Sequence, residues 1–248
     1  MSTVIGGIVR RELSAYFSTP IAWVFLIIFV FMTALMTFTL GDLFGRGQAD
    51  LGPFFSLLPW LFMFFLPAVS MRLWAEERQT GNIELLLTLP VPPATIVIGK
   101  FLAAWAFVAL ALALTFPLWL TINYLGEPDN GKVLAAYLAS WLMAGAMLAA
   151  GSLVSASTRN QVVAFVVTVF LLFLLLWPGM TAAELESSTS GFARFFTELA
   201  SAVSFLSHFR RLADGIVNVA DGLYFVGTIA IFLVATGLML EWKKTHAL

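Results

Sequence analysis

Apolar residues run along this chain in long blocks separated by short polar breaks, with no alternating strand pattern between them. Residues 20–40, 53–71, 101–124, 133–154, 162–180 and 223–240 are each almost wholly apolar. A helix needs roughly 20 such residues to cross a hydrocarbon core of about 30 Å, so the pattern predicts six transmembrane helices and an all-α integral membrane protein in a single transmembrane domain, 1–248. Two other stretches carry a helical stripe instead of a solid block. Before the first span, Ile5, Ile8, Val9, Leu13, Tyr16 and Phe17 recur at helical spacing, with Arg10, Arg11 and Ser14 on other faces. This predicts an amphipathic helix within 1–19 lying in the membrane interface, its Arg10 and Arg11 reaching anionic headgroups; a basic leader that only sets orientation is the plainer alternative. Between the last two spans, in an extended loop over 181–222, Phe192, Phe195, Phe196, Leu199, Val203 and Leu206 form a second stripe, behind an exposed Ser- and Glu-containing run. It rests on the membrane surface, gates an exit, or receives a partner, with His208, Phe209, Arg210 and Arg211 at its edge.

Composition strengthens the membrane assignment. Hydrophobic residues make up 60% of the chain and the mean hydropathy is +0.95, beyond what a water-soluble core requires. The first block is too long for a cleavable signal peptide, is preceded by about twenty residues and lacks a small-residue cleavage site. There is no cysteine, which removes disulfides, thiolate metal sites and cysteine nucleophiles.

Charge placement orients the spans. With the N-terminus inside, the inner segments hold Arg10, Arg11, Arg72, Arg78, Lys100, Arg159, Lys243 and Lys244, against Arg46 and Lys132 in the short outer loops. The positive-inside rule therefore predicts cytoplasmic N- and C-termini. The six blocks contain no Asp, Glu, Lys, Arg or His, which disfavours an ion-coupled transport path; Asn123, near a span end, reads as a cap or headgroup contact. No P-loop is present, since Gly99-Lys100 and Gly131-Lys132 continue with Phe and Val, and neither H-E-x-x-H nor G-x-S-x-G occurs. The two histidines lie far apart. We expect no catalytic residue, cofactor site or metal site in the chain, no enzymatic activity of its own and no nucleic-acid partner. In the fourth span Ser140, Ala144, Gly145, Ala149, Gly151 and Ser155 give small-residue spacings for close packing, within a subunit or across a dimer.

The densest charge falls in the cytoplasmic loop over 72–100. Arg72, Glu76, Glu77 and Arg78 precede Gln79, Thr80, Gly81 and Asn82, then Ile83, Glu84 and Leu85 to Leu87, with Pro90, Pro92 and Pro93 behind. The pattern predicts a helix leaving the second span, stopping near Gly81, and a short helix restarting with Thr80 as its cap before the prolines. These charges solvate a connecting loop or form a docking contact; the leucine run favours the second use without deciding it.

Arg72, Glu76-Glu77, Arg78, Gly81, Ile83-Glu84-Leu85-Leu86, Pro90 and Gly99-Lys100 resemble the signature of ABC-2 type permeases, most closely the gliding-motility-associated GldF-like branch. Ser207-His208-Phe209, Gly215-Ile216-Val217, Asp221 and Tyr224-Phe225 are similar to the segment that leads into that family's last span. Asn82 departs from the family's usual Thr. The resemblance implies an elbow helix at 1–19 and a coupling helix within 72–100 that docks on a separate ABC ATPase, where ATP and Mg would be bound. Arg72, Glu76, Glu77, Arg78, Thr80, Gly81, Asn82 and Glu84 would form the coupling contact. It further implies a second permease subunit, identical or related, a bacterial inner membrane, export of a hydrophobic, lipid-like or polymeric cargo, and an optional GldG-like extracytoplasmic partner. Mechanical work on that partner without transport, and a membrane scaffold without ATP, are the rival readings.

Overall fold

The computed structural model describes residues 2–43, 45, 47, 49–81, 91–180, 201–216 and 218–246, the side chains of 2, 3, 21 and 244–246 excepted. Every regular element among them is helical. Helix α1 is Ser2–Ser18, and α2, Pro20–Leu35, continues through a π-helical turn, Met36–Leu40. Then follow α3 (Gly52–Gln79), α4 (Pro93–Ala113), α5 (Phe116–Leu125), α6 (Asn130–Ser157), α7 (Gln161–Leu176), α8 (Phe205–Ala213) and α9 (Val219–His246). Among the described residues six helical stretches are long and apolar enough to cross a membrane: Ala22–Leu40, Gly52–Gln79, Pro93–Leu125, Asn130–Ser157, Gln161–Met180 and Val219–Lys243.

Helix α6 is the centre of the bundle, packed against α3, α4, α7, α8 and α9. Its small residues make this possible: Ser140, Ala144, Ala149 and Ser155 are fully buried. A Cβ on Gly145 would lie 2.8 Å from the Trp105 indole nitrogen, and one on Gly151 would run into Ser70 of α3. The small-residue spacings of this helix are therefore used within the subunit. In contrast, α2, α7 and α9 carry large apolar residues outward, such as Ile27, Phe31, Val166, Phe170, Ile231 and Val234. Lipid solvates such a surface without the cost water would impose.

Local chemistry sets the helix ends. Asp129 accepts hydrogen bonds from the Gly131 and Lys132 amides at the start of α6, and Asn160 from the Val162 and Val163 amides at the start of α7, supplying partners for amides a helix N-terminus leaves open. Asn123 donates to the Trp119 carbonyl and exchanges side-chain bonds with Asn130 across the turn before α6, linking α5 to α6. The third span breaks between α4 and α5 because Pro117 has no amide to continue the ladder.

Two boundaries differ from the sequence reading. The third span begins as a helix at Pro93 instead of near 101, because prolines suit a first helical turn and Thr95, Ile96, Val97 and Lys100 are buried there. Helix α9 likewise begins at Val219, which brings Asp221 into its first turn.

Candidate functional site

One face of the bundle gathers α1, the C-terminal ends of α3, α6 and α9, and the starts of α4 and α7. Helix α3 continues past the apolar block with Leu73, Trp74 and Ala75 still buried. It stops where the sequence predicts. Gly81 takes φ +76°, a conformation glycine adopts without steric cost. The Thr80 hydroxyl donates to the carbonyls of Glu76 and Glu77, and its amide to Glu76. Thr80 thus closes α3, its hydroxyl meeting the Glu77 carbonyl that no helical amide reaches; its expected use as the cap of a following helix lies outside the described residues.

Around this end stands an ionic cluster. Lys100, in the second turn of α4, is only 3% exposed, yet its Nζ lies 2.6 Å from Glu77 Oε1 and 3.2 Å from Glu12 Oε2. It also sits 5.6 Å from the centroid of the Trp74 ring. An ammonium can be buried only when paired in this way. The Trp74 indole N–H donates to Ser152 Oγ, while the Trp74 and Ala75 amides donate to Ser155 Oγ, which donates to the Met71 carbonyl. One connected set of contacts therefore runs from α1 through Lys100 to α3, and from α3 into the central helix α6.

Helix α1 reaches this cluster along its apolar stripe. Ile5, Ile8, Val9, Leu13, Tyr16 and Phe17 are all partly buried, whereas Arg10, Arg11 and Ser14 are exposed, and the helix packs on α4. The close approach depends on Gly99, where a Cβ would stand 2.6 Å from Ile8 Cγ2. Tyr16 stacks on Phe107 at 5.3 Å between centroids. Burial pushes its phenol well above the ordinary tyrosine range and the charge of Glu12 adds to this, so Tyr16 stays neutral beside the carboxylates. Arg72 Nε binds Glu76 Oε2 at 2.8 Å, one turn apart. Between these groups lies a cleft of about 400 Å³ lined by Arg11, Glu12, Tyr16, Arg72, Glu76, Glu77, Thr80 and Lys100.

On the opposite face, α8 buries Phe205, Leu206, Phe209 and Leu212 and turns Arg210 and Arg211 outward. His208 stacks on Tyr224 at 3.8 Å and its Nδ1 meets the Asp221 carboxylate. Arg211 forks onto the same carboxylate, Nε to Oδ2 at 3.1 Å and Nη2 to Oδ1. Asp221 is almost fully buried in the first turn of α9, where the helix dipole also favours an anion. The residues of the second signature segment thus fasten α8 to the last span. Arg210 instead reaches toward the Gly179 carbonyl.

A family model described as ABC-2 family transporter protein matches residues 44–240. The chain belongs to the ABC-2 transporter family. Among curated proteins, none matches it significantly. An ABC-2 protein of this kind is a membrane-embedded permease subunit of an ABC transporter, and the family implies an ABC ATPase as partner and usually a second permease.

For the ABC-2 permease, the structure brings Arg72, Glu76, Glu77, Thr80 and Arg11 to one cleft. Arg78 points elsewhere: its Nε is buried without a hydrogen-bond partner. Arg10 is exposed on α1. Asn82, Glu84 and Leu85 to Leu87, with the expected coupling helix, lie outside the described residues, as do Phe192, Phe195, Phe196 and Leu199. Sequence reasoning missed Lys100, Glu12 and the work of Asp221. Gly99-Lys100 was visible as part of the signature, but its function depends on Glu12, 88 positions away. No group of three or more His, Cys, Asp or Glu side chains suited to a metal occurs among the described residues.

Proposed function

We propose that this permease couples ATP hydrolysis in a separate ABC ATPase to outward movement of a hydrophobic, lipid-like or polymeric cargo, with the segment between α3 and α4 as the drive contact. One observation carries this reading. The two helices that flank residues 82–90 are tied to each other by the Glu77–Lys100 pair, to α1 through Glu12, and to α6 through Trp74 and Ser152. A force applied to that segment would move α1, α3 and α4 as one body and pass into the central helix, whereas a merely solvated connector needs no such bracing.

The same reading places this face, with both termini, in the cytoplasm of a bacterial inner membrane and pairs the chain with a second permease, identical or related. ATP and Mg belong to the ATPase. The signature residues make a GldF-like assignment the most economical one. Arg210, exposed on the docked α8, is the polar edge available to an extracytoplasmic partner or an exit gate.

The test is ATP turnover and copurification after coexpression with candidate ATPase subunits, in nanodiscs, comparing wild type with Glu77→Gln and Glu77→Lys. Both variants should lower turnover or assembly, the lysine more. Unchanged turnover and assembly in both would remove the coupling role; failure of any ATPase to copurify with wild type would favour a scaffold.

A further inference from the structure

A second charged group on the same face takes no part in the cluster around Lys100. Arg78 leaves α3 one turn beyond Trp74 and Ala75, whose amides are held by Ser155 of α6. Arg159 follows Ser155 by one turn, in the link between α6 and α7. Lys243, near the end of α9, donates to the carbonyls of Ala156 at 3.2 Å and Ser157 at 3.1 Å. Three cations from three parts of the bundle therefore surround the C-terminal end of α6, close enough for their charges to repel one another.

Among the described residues no carboxylate forms an ion pair with any of the three. The Arg78 Nε–H is buried and unpartnered, an unsatisfied donor that a bound anion would answer. The α6 carbonyls occupy part of the Lys243 ammonium and leave the guanidinium groups open. Setting orientation requires cations near the membrane; it does not require three of them at one helix end with a donor left bare.

The depth of the cluster identifies the anion. Within one turn of Arg159, α7 exposes Val162 at 68% and Val163 at 47%. Before and beside Lys243, α9 exposes Leu238 at 61% and Trp242 at 59%. Large apolar side chains meet the surface on one side of the cations, and an outward tryptophan marks the interfacial layer. We propose that Arg78, Arg159 and Lys243 form a binding site for the phosphate of an anionic glycerophospholipid, its acyl chains lying on the exposed apolar faces of α7 and α9. The guanidinium groups supply directed phosphate contacts and the lysine a point charge. This site depends on the chain being embedded in a membrane and not on ATP coupling.

Native mass spectrometry of the purified chain tests it, with phosphatidylglycerol and phosphatidylcholine titrated separately and without any ATPase. Wild type should prefer phosphatidylglycerol. Arg159→Gln/Lys243→Gln should weaken phosphatidylglycerol about tenfold or more, from roughly 1 kcal/mol per basic residue near a membrane surface, and leave phosphatidylcholine unchanged. Lys132→Gln, a cation of the opposite face already facing Asp214 at 3.4 Å, should behave as wild type. If the double variant melts early in phosphatidylcholine nanodiscs, Arg159→Gln alone, at an exposed position, should still weaken phosphatidylglycerol severalfold. Equal phosphatidylglycerol binding by wild type and variants overturns the proposal. So does stabilisation of wild type by inorganic phosphate without lipid preference, which would mean a soluble anion.

Discussion

Lys100 Nζ and Glu77 Oε1 stand 2.6 Å apart, joining the two helices between which residues 82–90 run. Removing one member of a buried pair leaves the other charge uncompensated, at a cost of about 3–5 kcal/mol. Lys100→Ala is worse placed than most, because it leaves Glu77 without its cation and Glu12 with only the exposed Arg11, 2.9 Å away. We expect a clear drop in the melting temperature in nanodiscs, partly recovered by adding Glu77→Gln. A melting temperature equal to wild type would show that the pair carries no stability.

Gly99 sets how near α1 comes to α4. Gly99→Leu forces a side chain into the space of Ile8, where even a Cβ would be 2.6 Å from Ile8 Cγ2. Overpacking of this kind costs about 1–3 kcal/mol, and α1, anchored on one side only, is the element that gives way. The expected result is faster proteolysis within 1–19 and lowered ATP turnover in the assembled complex, with the rest of the chain intact. Wild-type protection of α1 would contradict the close contact.

Trp74 joins the ionic cluster to α6 through its indole N–H on Ser152. Trp74→Phe keeps an aromatic ring beside Lys100 but deletes that bond and some volume. The loss should be modest, about 1 kcal/mol for the bond alone, and Ser152→Ala should add little to it. If the two substitutions prove fully additive in thermal melts, the residues are not coupled.

What could be read from the sequence depended on the range of each interaction. The six spans and the stop at Gly81 are local or periodic signals, and the stripe on α1 follows one face of one helix. The partnership of Lys100 with Glu12 is neither local nor periodic. Lys100 looked like the last residue of a charged loop, because an apolar count ends at a charge, whereas burial depends on which carboxylates arrive from elsewhere. Phe209 and His208 looked available on a loop for a similar reason. Asp221 and Tyr224 engage His208 only once α9 is in place, and Phe209 is buried only once α8 packs on the bundle.

The Asp221 carboxylate holds His208 and Arg211 together. Asp221→Ala leaves an imidazole and a guanidinium facing each other without an anion and should release α8 from α9. Limited proteolysis should then cut between 201 and 216 in the variant and spare wild type, whereas Arg210→Ala should leave this region protected. Equal protection of Asp221→Ala and wild type would mean that the apolar contacts of Phe205, Phe209 and Phe225 suffice.

Orientation and docking can be decided together, because the chain has no cysteine and single thiols introduce no background. Tyr124 is 91% exposed at the end of α5, and Gln79 is exposed at the end of α3, on opposite faces of the bundle. With a membrane-impermeant maleimide, Tyr124→Cys should label in intact cells and Gln79→Cys only after permeabilisation. If residues 82–90 are the drive contact, coexpressed ATPase should also shield Gln79→Cys in permeabilised cells and leave Tyr124→Cys unchanged. Labelling of Gln79→Cys from outside would place the braced face away from the nucleotide pool, and a cytoplasmic ATPase would then have nothing to grip. Labelling from inside without shielding would keep the topology and move the docking contact to another part of that face.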